Sequence, residues 1–393
     1  MRVFFNKLAL AMFSIVLTLG MLEIAARTFK LGTGGFWEPH PTLGWRNIPG
    51  ASGWESCYGE CQVKVRINSL GLRDEEIPYE KPPGTRRILF LGDSMTAGMQ
   101  VTLEETFVKQ VETYLHAQGY DSWQTVNAAV NGYGTDNELV FYREEGFKYE
   151  PDVVVLAVYL ANDVYNNSRV LDLRTGGQRH KPFFTLDENG ALVIHNYPVE
   201  NTDSFWVNVG TFLKKHFQLP RFIAQTLSLR GASPDWLKPV VALFSGGGEA
   251  DKGDTAVSAN NSPPVRTTPV TICDAAYTPE IEEAWNITKA LIQELRTEVE
   301  ASGAQFMVVS IPTLAQTIPP ADGVSWYCPR PNEELNTFLD EEGIPYIDLL
   351  SAFQAYSPKG GKLLYYERDF HMTAPGHKEA GRQIGSFLLE HLD

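Results

Sequence analysis

The sequence predicts an α/β chain: a three-layer α/β/α sandwich around a doubly wound parallel sheet, preceded by an N-terminal membrane segment. Three observations predict it. Short, wholly apolar runs recur from Arg86 onward, each about the length of one buried strand. Stretches with helical periodicity separate them, so strands alternate with helices. Right-handed crossovers between parallel strands then put helices on both faces of the sheet.

The N-terminal segment comes first. Leu8 to Leu22 is almost wholly apolar, with Arg2 and Lys7 before it and Glu23 and Arg27 after it. Residues 1–30 therefore read as a signal anchor or a signal peptide. The best cleavage candidate, Thr18-Leu19-Gly20, lies inside the apolar run, which favours the retained anchor. Residues 31–85 are rich in Gly, Pro and Trp and read as an N-terminal extension with one strand-like stretch at 62–67.

The first part of the core occupies 86–164. RRILFLG (86–92) is a buried strand, and Thr102 to Gln118 a helix opened by a Thr102–Glu105 capping box. A strand at 124–130, a helix from Thr135 to Phe147 and a strand at 152–159 come next. An insertion over 165–278 then interrupts the alternation. It holds a hairpin at 183–195 and a mixed apolar-basic helix from Phe205 to Leu229. That helix is expected to pack on the main domain, the membrane surface being the other reading. Residues 245–270 are small, polar and proline-rich, and are expected to be disordered. The second part of the core, 279–393, has helices at Pro279–Ser302, Asn332–Glu342 and Thr373–Leu392 and strands at 305–312 and 345–349.

Composition narrows the function. The chain has 393 residues, 33 Lys plus Arg against 48 Asp plus Glu, and a net charge of −15. A nucleic-acid partner is excluded, because phosphate binding needs a basic face. Adsorption to an anionic membrane by charge is excluded for the same reason. The four cysteines allow three pairings. Cys57–Cys61 as a local clasp and Cys273–Cys328 as a staple across an insertion are the favoured ones. No His-Glu-x-x-His, phosphate-cradling Gly-x-x-x-x-Gly-Lys or dinucleotide fingerprint occurs, so no cofactor or metal is expected.

In a doubly wound sheet, ligands bind beyond the carboxyl ends of the strands. The residues just past each strand are therefore the informative ones. Gly92-Asp93-Ser94-Met95-Thr96 stands after the first and presents a serine on a tight strand-to-helix turn. Asn131-Gly132-Tyr133-Gly134 stands after the second, where glycine lets backbone approach a substrate. Asn162-Asp163 stands after the third, and Asp369-Phe370-His371 precedes the closing helix. A nucleophile, oxyanion donors and an acid–base pair are the groups that acyl transfer requires.

These residues resemble the SGNH (GDSL-type) hydrolase superfamily, membrane-anchored bacterial type. Gly-Asp-Ser-Met looks like its first block, Gly132 its second, Asn162 its third and His371 its fifth. The resemblance covers about 86–165 and 279–393, and 40–85 looks like the extension of the anchored members. It implies a flavodoxin-like SGNH fold and a Ser94–His371–Asp369 acyl-enzyme mechanism. The oxyanion donors would be the Ser94 and Gly132 N–H groups and the Asn162 side chain. Two positions depart from the pattern. Leu160 stands where the third block has glycine, and Arg368 stands three residues before the histidine, where the acid usually is. Asp369, two residues before it, takes that role here, with Asp163 or a backbone carbonyl as partial substitutes. Tyr133, Tyr159, Tyr165 and Phe370 flank the site and are candidates for stacking on a sugar.

The expected activity is extracytoplasmic cleavage of acyl esters, O-acetyl above all, on carbohydrate or lipid. The domain would be held at the cell membrane by a single pass, or secreted if the segment is cleaved. An O-acyltransferase on a polysaccharide, fed by a multi-span acyl-donor partner, would use the same serine. A catalytically inactive glycan-binding module is the reading from a different class.

Overall fold

The structure, a computed structural model, describes residues 1–174, 180–200, 202–229, 270–273, 276–317, 328–356 and 363–392. The stretch expected to be disordered lies, up to residue 269, outside them. The chain opens with α1 (Arg2–Thr28). Two antiparallel pairs come next: β1 (Trp37–His40) with β2 (Gly44–Asn47), and β3 (Ser52–Ser56) with β4 (Gln62–Arg66). Of these four strands the sequence indicated only β4.

The main sheet has five strands, all parallel: β5 (Arg86–Gly92), β6 (Trp123–Asn127), β7 (Val153–Tyr159), β10 (Gln305–Ile311) and β11 (Tyr346–Asp348). Their spatial order is β11-β10-β7-β5-β6. The direction of winding reverses at β5, so the crevice for a ligand opens where β5 and β7 end. Gly92 pairs with Ala157 there.

The period of two along β5 divides the core. Ile88 and Phe90 join a cluster with α3 (Phe107–Ala117) and the closing helix, α13 (Ala374–Leu389). Leu89 and Leu91 join the opposite cluster with α4 (Thr135–Glu144), α9 (Pro279–Ala301) and α11 (Arg330–Glu342). This is the expected three-layer sandwich. Buried on both faces, the strands need no polar alternation, hence their continuous apolar runs.

Two helices differ from the sequence reading. The Thr102–Glu105 box is present but closes only a 3₁₀ turn, Leu103–Glu105. Thr106 then caps α3, accepting from the Lys109 N–H at 3.4 Å. The helix expected over 205–229 is two helices, α7 (Phe205–His216) and α8 (Leu219–Leu229). Pro220 accounts for the break: it has no N–H to give, and its ring would clash with the carbonyl of residue 216 in a continuous helix. The insertion also holds two short helices, α5 (Asp163–Asn167) and α6 (Arg169–Arg174), and a hairpin, β8 (Phe183–Leu186) with β9 (Leu192–His195). It docks through Lys181, which is 1% exposed and pairs with Asp136 at 2.7 Å. The cysteines pair as Cys57–Cys61 and Cys273–Cys328.

Helices α3 and α13 approach closely because Gly381 has no side chain. A Cβ there would fall 2.4 Å from Gln110 Cβ and 3.1 Å from the Phe107 carbonyl oxygen. Gly381→Val should therefore force the two helices apart and destabilise the domain by about 1–3 kcal/mol. Urea unfolding followed by circular dichroism measures this.

Candidate active site

The site is built at the ends of β5 and β7. At Gly92 the chain turns from strand into α2 (Ser94–Ala97), and a Cβ at 92 would lie 2.3 Å from Thr96 Oγ1. Only glycine allows a turn this tight. Asp93 caps the turn, its Oδ1 accepting the Met95 N–H at 2.8 Å. Its Oδ2 accepts from the Asn162 side-chain amide at 3.1 Å, which joins the end of β5 to the end of β7. Ser94 opens α2, so its N–H is one of the donors a helix leaves unused at its start. Its side chain is half-buried and faces the loop before α13.

That loop brings the acid–base pair. His371 Nε2 lies 2.8 Å from Ser94 Oγ, and His371 Nδ1 lies 2.6 Å from Asp369 Oδ1. A serine, an imidazole and a carboxylate are thus in hydrogen-bonded series. The short spacing is accommodated by a tight hairpin. Tyr365 bridges Met372, the Tyr366 N–H donates to the His371 carbonyl at 2.9 Å, and Phe370 adopts φ +65°. A non-glycine residue in the left-handed region is uncommon and concentrates at functional sites. The other histidine nearby is unsuited to proton transfer. His377 is buried, accepts the Phe107 N–H at Nδ1, and is pushed down to about 3 by its desolvation.

A residue the sequence reading missed holds the hairpin. Glu60, inside the Cys57–Cys61 loop, accepts the N–H groups of Glu367 and Arg368 at 2.9 Å each and of Asp369 at 3.2 Å. The cysteine spacing signalled a tight loop there, but nothing in the sequence linked it to residues some 300 positions later. Glu55, on β3 of the same hairpin, lies within electrostatic reach of Asp369 and His371. Burial raises its carboxyl to about 7, and the charge of Asp369 adds to the rise.

The remaining candidates divide. Gly132 is exposed at φ +80°, and a Cβ there would meet only Trp45 Cζ2, at 3.6 Å. The extension thus supplies an aromatic wall at this glycine. Asn162 has one amide hydrogen committed to Asp93, leaving the other for a ligand. Tyr159 and Phe370 are half-buried near the strand end and the hairpin. Tyr133 and Tyr165 are instead core residues, 1% and 3% exposed. The Tyr133 hydroxyl donates to the Trp45 carbonyl at 2.6 Å, so it fastens the extension and offers no face to a sugar. Asp163 does not reach the imidazole in any hydrogen bond; its Oδ2 accepts the Tyr159 N–H at 2.7 Å. Behind the site, burial pushes the carboxyls of Glu138 and Asp163 well above their usual range, and the Asp93 charge pushes them further. Among the described residues, no group of three or more His, Cys, Asp or Glu is arranged to hold a metal ion.

No family model and no curated protein matches the chain. Among solved structures it is similar to an acetyl xylan esterase, AlAXEase, at TM-score 0.37 and 12% identity, over 78% of this chain and 100% of that one. It is also similar to a GDSL-like lipase from Bacteroides thetaiotaomicron at TM-score 0.37 and 10% identity, over 80% of this chain and 93% of that one. A third is a two-domain esterase active on acetylated mannans, at TM-score 0.36 and 11% identity, over 78% of this chain and 49% of that one. Likenesses this low do not assign chemistry, which rests on the chain's own residues.

Two outcomes test the geometry directly. Glu60→Ala should speed amide hydrogen exchange at Glu367, Arg368 and Asp369 by ~10-fold or more, the loss expected when charge-assisted hydrogen bonds are removed. Exchange mass spectrometry of the peptide spanning the hairpin reads this. The second concerns Glu55, whose carboxyl lies at about 7 in the fold against 4.5 when unperturbed. Below 4.5 it is protonated in both states and costs nothing. As pH rises to 7 the unfolded chain ionises first, and stability is lost progressively until the native carboxyl also ionises. Glu55→Gln should therefore be more stable than the parent above about pH 8, by about 3 kcal/mol at most, and equal to it below about pH 4. Urea titrations at the two pH values measure the difference. Five parallel strands between two layers of helices, with the site at the carboxyl ends of β5 and β7, make this an α/β fold.

Proposed function

We propose that the protein is a membrane-anchored, extracytoplasmic serine ester hydrolase of the SGNH type, acting on acyl esters and above all on O-acetyl esters. The observation that carries this is the series from Ser94 through His371 to Asp369, at 2.8 and 2.6 Å. Ser94 Oγ attacks the acyl carbonyl carbon and its proton passes to His371 Nε2. Asp369, on Nδ1, fixes the imidazole tautomer and stabilises the imidazolium. The carbonyl electrons move to the oxygen, where the Ser94 and Gly132 N–H groups and the free Asn162 amide hydrogen stabilise the charge. Collapse of this intermediate breaks the ester bond, and the leaving alcohol takes the proton from His371. Water then repeats the sequence on the acyl-enzyme, releasing the carboxylic acid and restoring Ser94.

The anchor reading rests on α1, which is 27 residues long and whose apolar stretch is wholly unburied. At about 1.5 Å per residue a helix of this length exceeds the hydrocarbon thickness of a bilayer.

The test uses the full chain with a fluorophosphonate probe and p-nitrophenyl acetate. Ser94→Ala and His371→Ala should lose labelling and lower turnover by ~10⁴-fold or more. Asp369→Asn should lower turnover by a similar order through the wrong tautomer. Labelling with negligible hydrolysis, relieved by an added glycan acceptor, would replace the hydrolase by a transferase. No Ser94-dependent labelling of folded protein would leave a binding module.

A further inference from the structure

We propose that α7 and α8, with the last turns of α1, form an apolar platform that seats in the headgroup layer of a lipid bilayer. This rests on the insertion of α1 proposed above and goes beyond it, because a tether alone leaves the domain free to stand off the membrane.

The two helices are inverted relative to a soluble surface. Facing outward are Phe205, Trp206, Phe212, Phe217 and Ile223, at 71%, 63%, 56%, 40% and 47% exposure. Facing inward are two cations: Lys214 at 2% exposure and Arg221 at 4%. Lys214 donates to the Trp37 carbonyl at 2.8 Å, and Arg221 donates through Nε to the Lys214 carbonyl at 2.6 Å. A surface helix normally buries its apolar stripe and turns its charges to water. Here Lys214 and Arg221 are buried and hydrogen-bonded, and the aromatics are left outside. A contiguous exposed apolar patch marks a protein or membrane contact.

The connection to α1 selects the membrane. Glu23 of α1 accepts the N–H groups of Gln218 and Leu219, at 2.9 and 2.8 Å, and so caps the start of α8. Arg27 donates to the His216 carbonyl at 2.6 Å, and the Gln218 amide donates to the Gly32 carbonyl at 3.0 Å. Glu23 lies five residues before the end of α1, about 8 Å along its axis. The junction of α7 and α8 is therefore fixed level with the last two turns of the span, where polar and aromatic residues mark the interface. Aromatic and aliphatic side chains projecting at that level meet headgroups and acyl carbons, the surroundings of an interfacial helix.

Full-length protein in nanodiscs of phosphatidylethanolamine and phosphatidylglycerol tests this. The native cysteines are paired, so one added cysteine takes a single environment-sensitive fluorophore. Phe13→Cys reports on α1, Phe212→Cys and Trp206→Cys on the platform, and Tyr120→Cys, in the turn before β6, on the remote surface. A quencher carried near the lipid headgroup should reduce the fluorescence at 212 and 206 at least about twofold and leave 120 unchanged. Quenching at 13 by a deep acyl-chain quencher, with none at 206 and 212, would overturn the platform and leave the anchor standing. No quenching at 13 would remove the anchor and the platform with it. Labels at 206 and 212 shielded in a protein-concentration-dependent way, without lipid quenching, would assign the face to a second copy and overturn the proposal.

Discussion

The geometry at the centre of this molecule depends on one buried carboxylate. Asp93 is wholly inaccessible, at the point where the winding of the sheet reverses. One oxygen caps the turn that presents Ser94, and the other holds the Asn162 amide at the end of the neighbouring strand. The serine and the amide therefore cannot move independently. Burying a carboxylate is costly, and burial does push this one upward, but hydrogen bonds from Met95, Asn162 and Thr96 oppose the push. Loss of the Met95 or the Asn162 bond would leave an uncompensated acid beside Glu138 and Asp163, whose carboxyls are already held high by burial and mutual repulsion.

The opposing half of the site is fixed from the N-terminal extension, by the β3–β4 hairpin. Glu60 at its tip holds the backbone of the turn that carries Asp369, and Glu55 along its strand faces the same pair of residues. An acid two residues before its histidine needs a bend between them, which Phe370 supplies in the left-handed region. Three N–H groups converging on one carboxylate give that bend an external support. The extension is thus part of the site's frame. Its Trp45 indole donates to the Asn131 carbonyl at 3.0 Å and walls Gly132, while Leu43 and Trp45 accept from Asn137 and Tyr133.

The sequence made legible whatever was local and periodic. The runs at Arg86, Val153 and Gln305 announced strands buried on both faces; the residues just beyond the first two announced the serine and the asparagine, and those just before the closing helix the histidine. It misled where tertiary context overrides a local signal. The Thr102–Glu105 box is genuine, yet a second threonine four residues on takes over as the cap of α3. Tyr133 and Tyr165 sit beside strand ends but turn into the core, Tyr133 being covered by Trp45 of the extension. Glu60 was invisible for a different reason: its partners are backbone amides, which carry no residue-type signal, and they lie some 300 positions away.

The same hairpin links the half that carries Asp369 and His371 to the end of α1 and to α8. Midway along β3, the Trp54 carbonyl accepts the Gly34 N–H at 2.9 Å, and Lys30 lies over the Trp54 ring at 4.1 Å. Arg221 of α8 donates to the Ser52 carbonyl at 3.4 Å. A strand of five residues spans about 17 Å, so the acid-bearing turn stands one short strand from the end of α1. The proposed platform would answer a difficulty set by composition. A chain with a net charge of −15 is repelled by an anionic membrane. Proximity must then come from a term that charge does not oppose. Apolar burial is such a term, at roughly 25 cal/mol for each Å² removed from water. In the proposed platform the outward aromatics on α7 and α8 would supply the area, while Lys214 and Arg221, turned inward onto carbonyls, serve the fold.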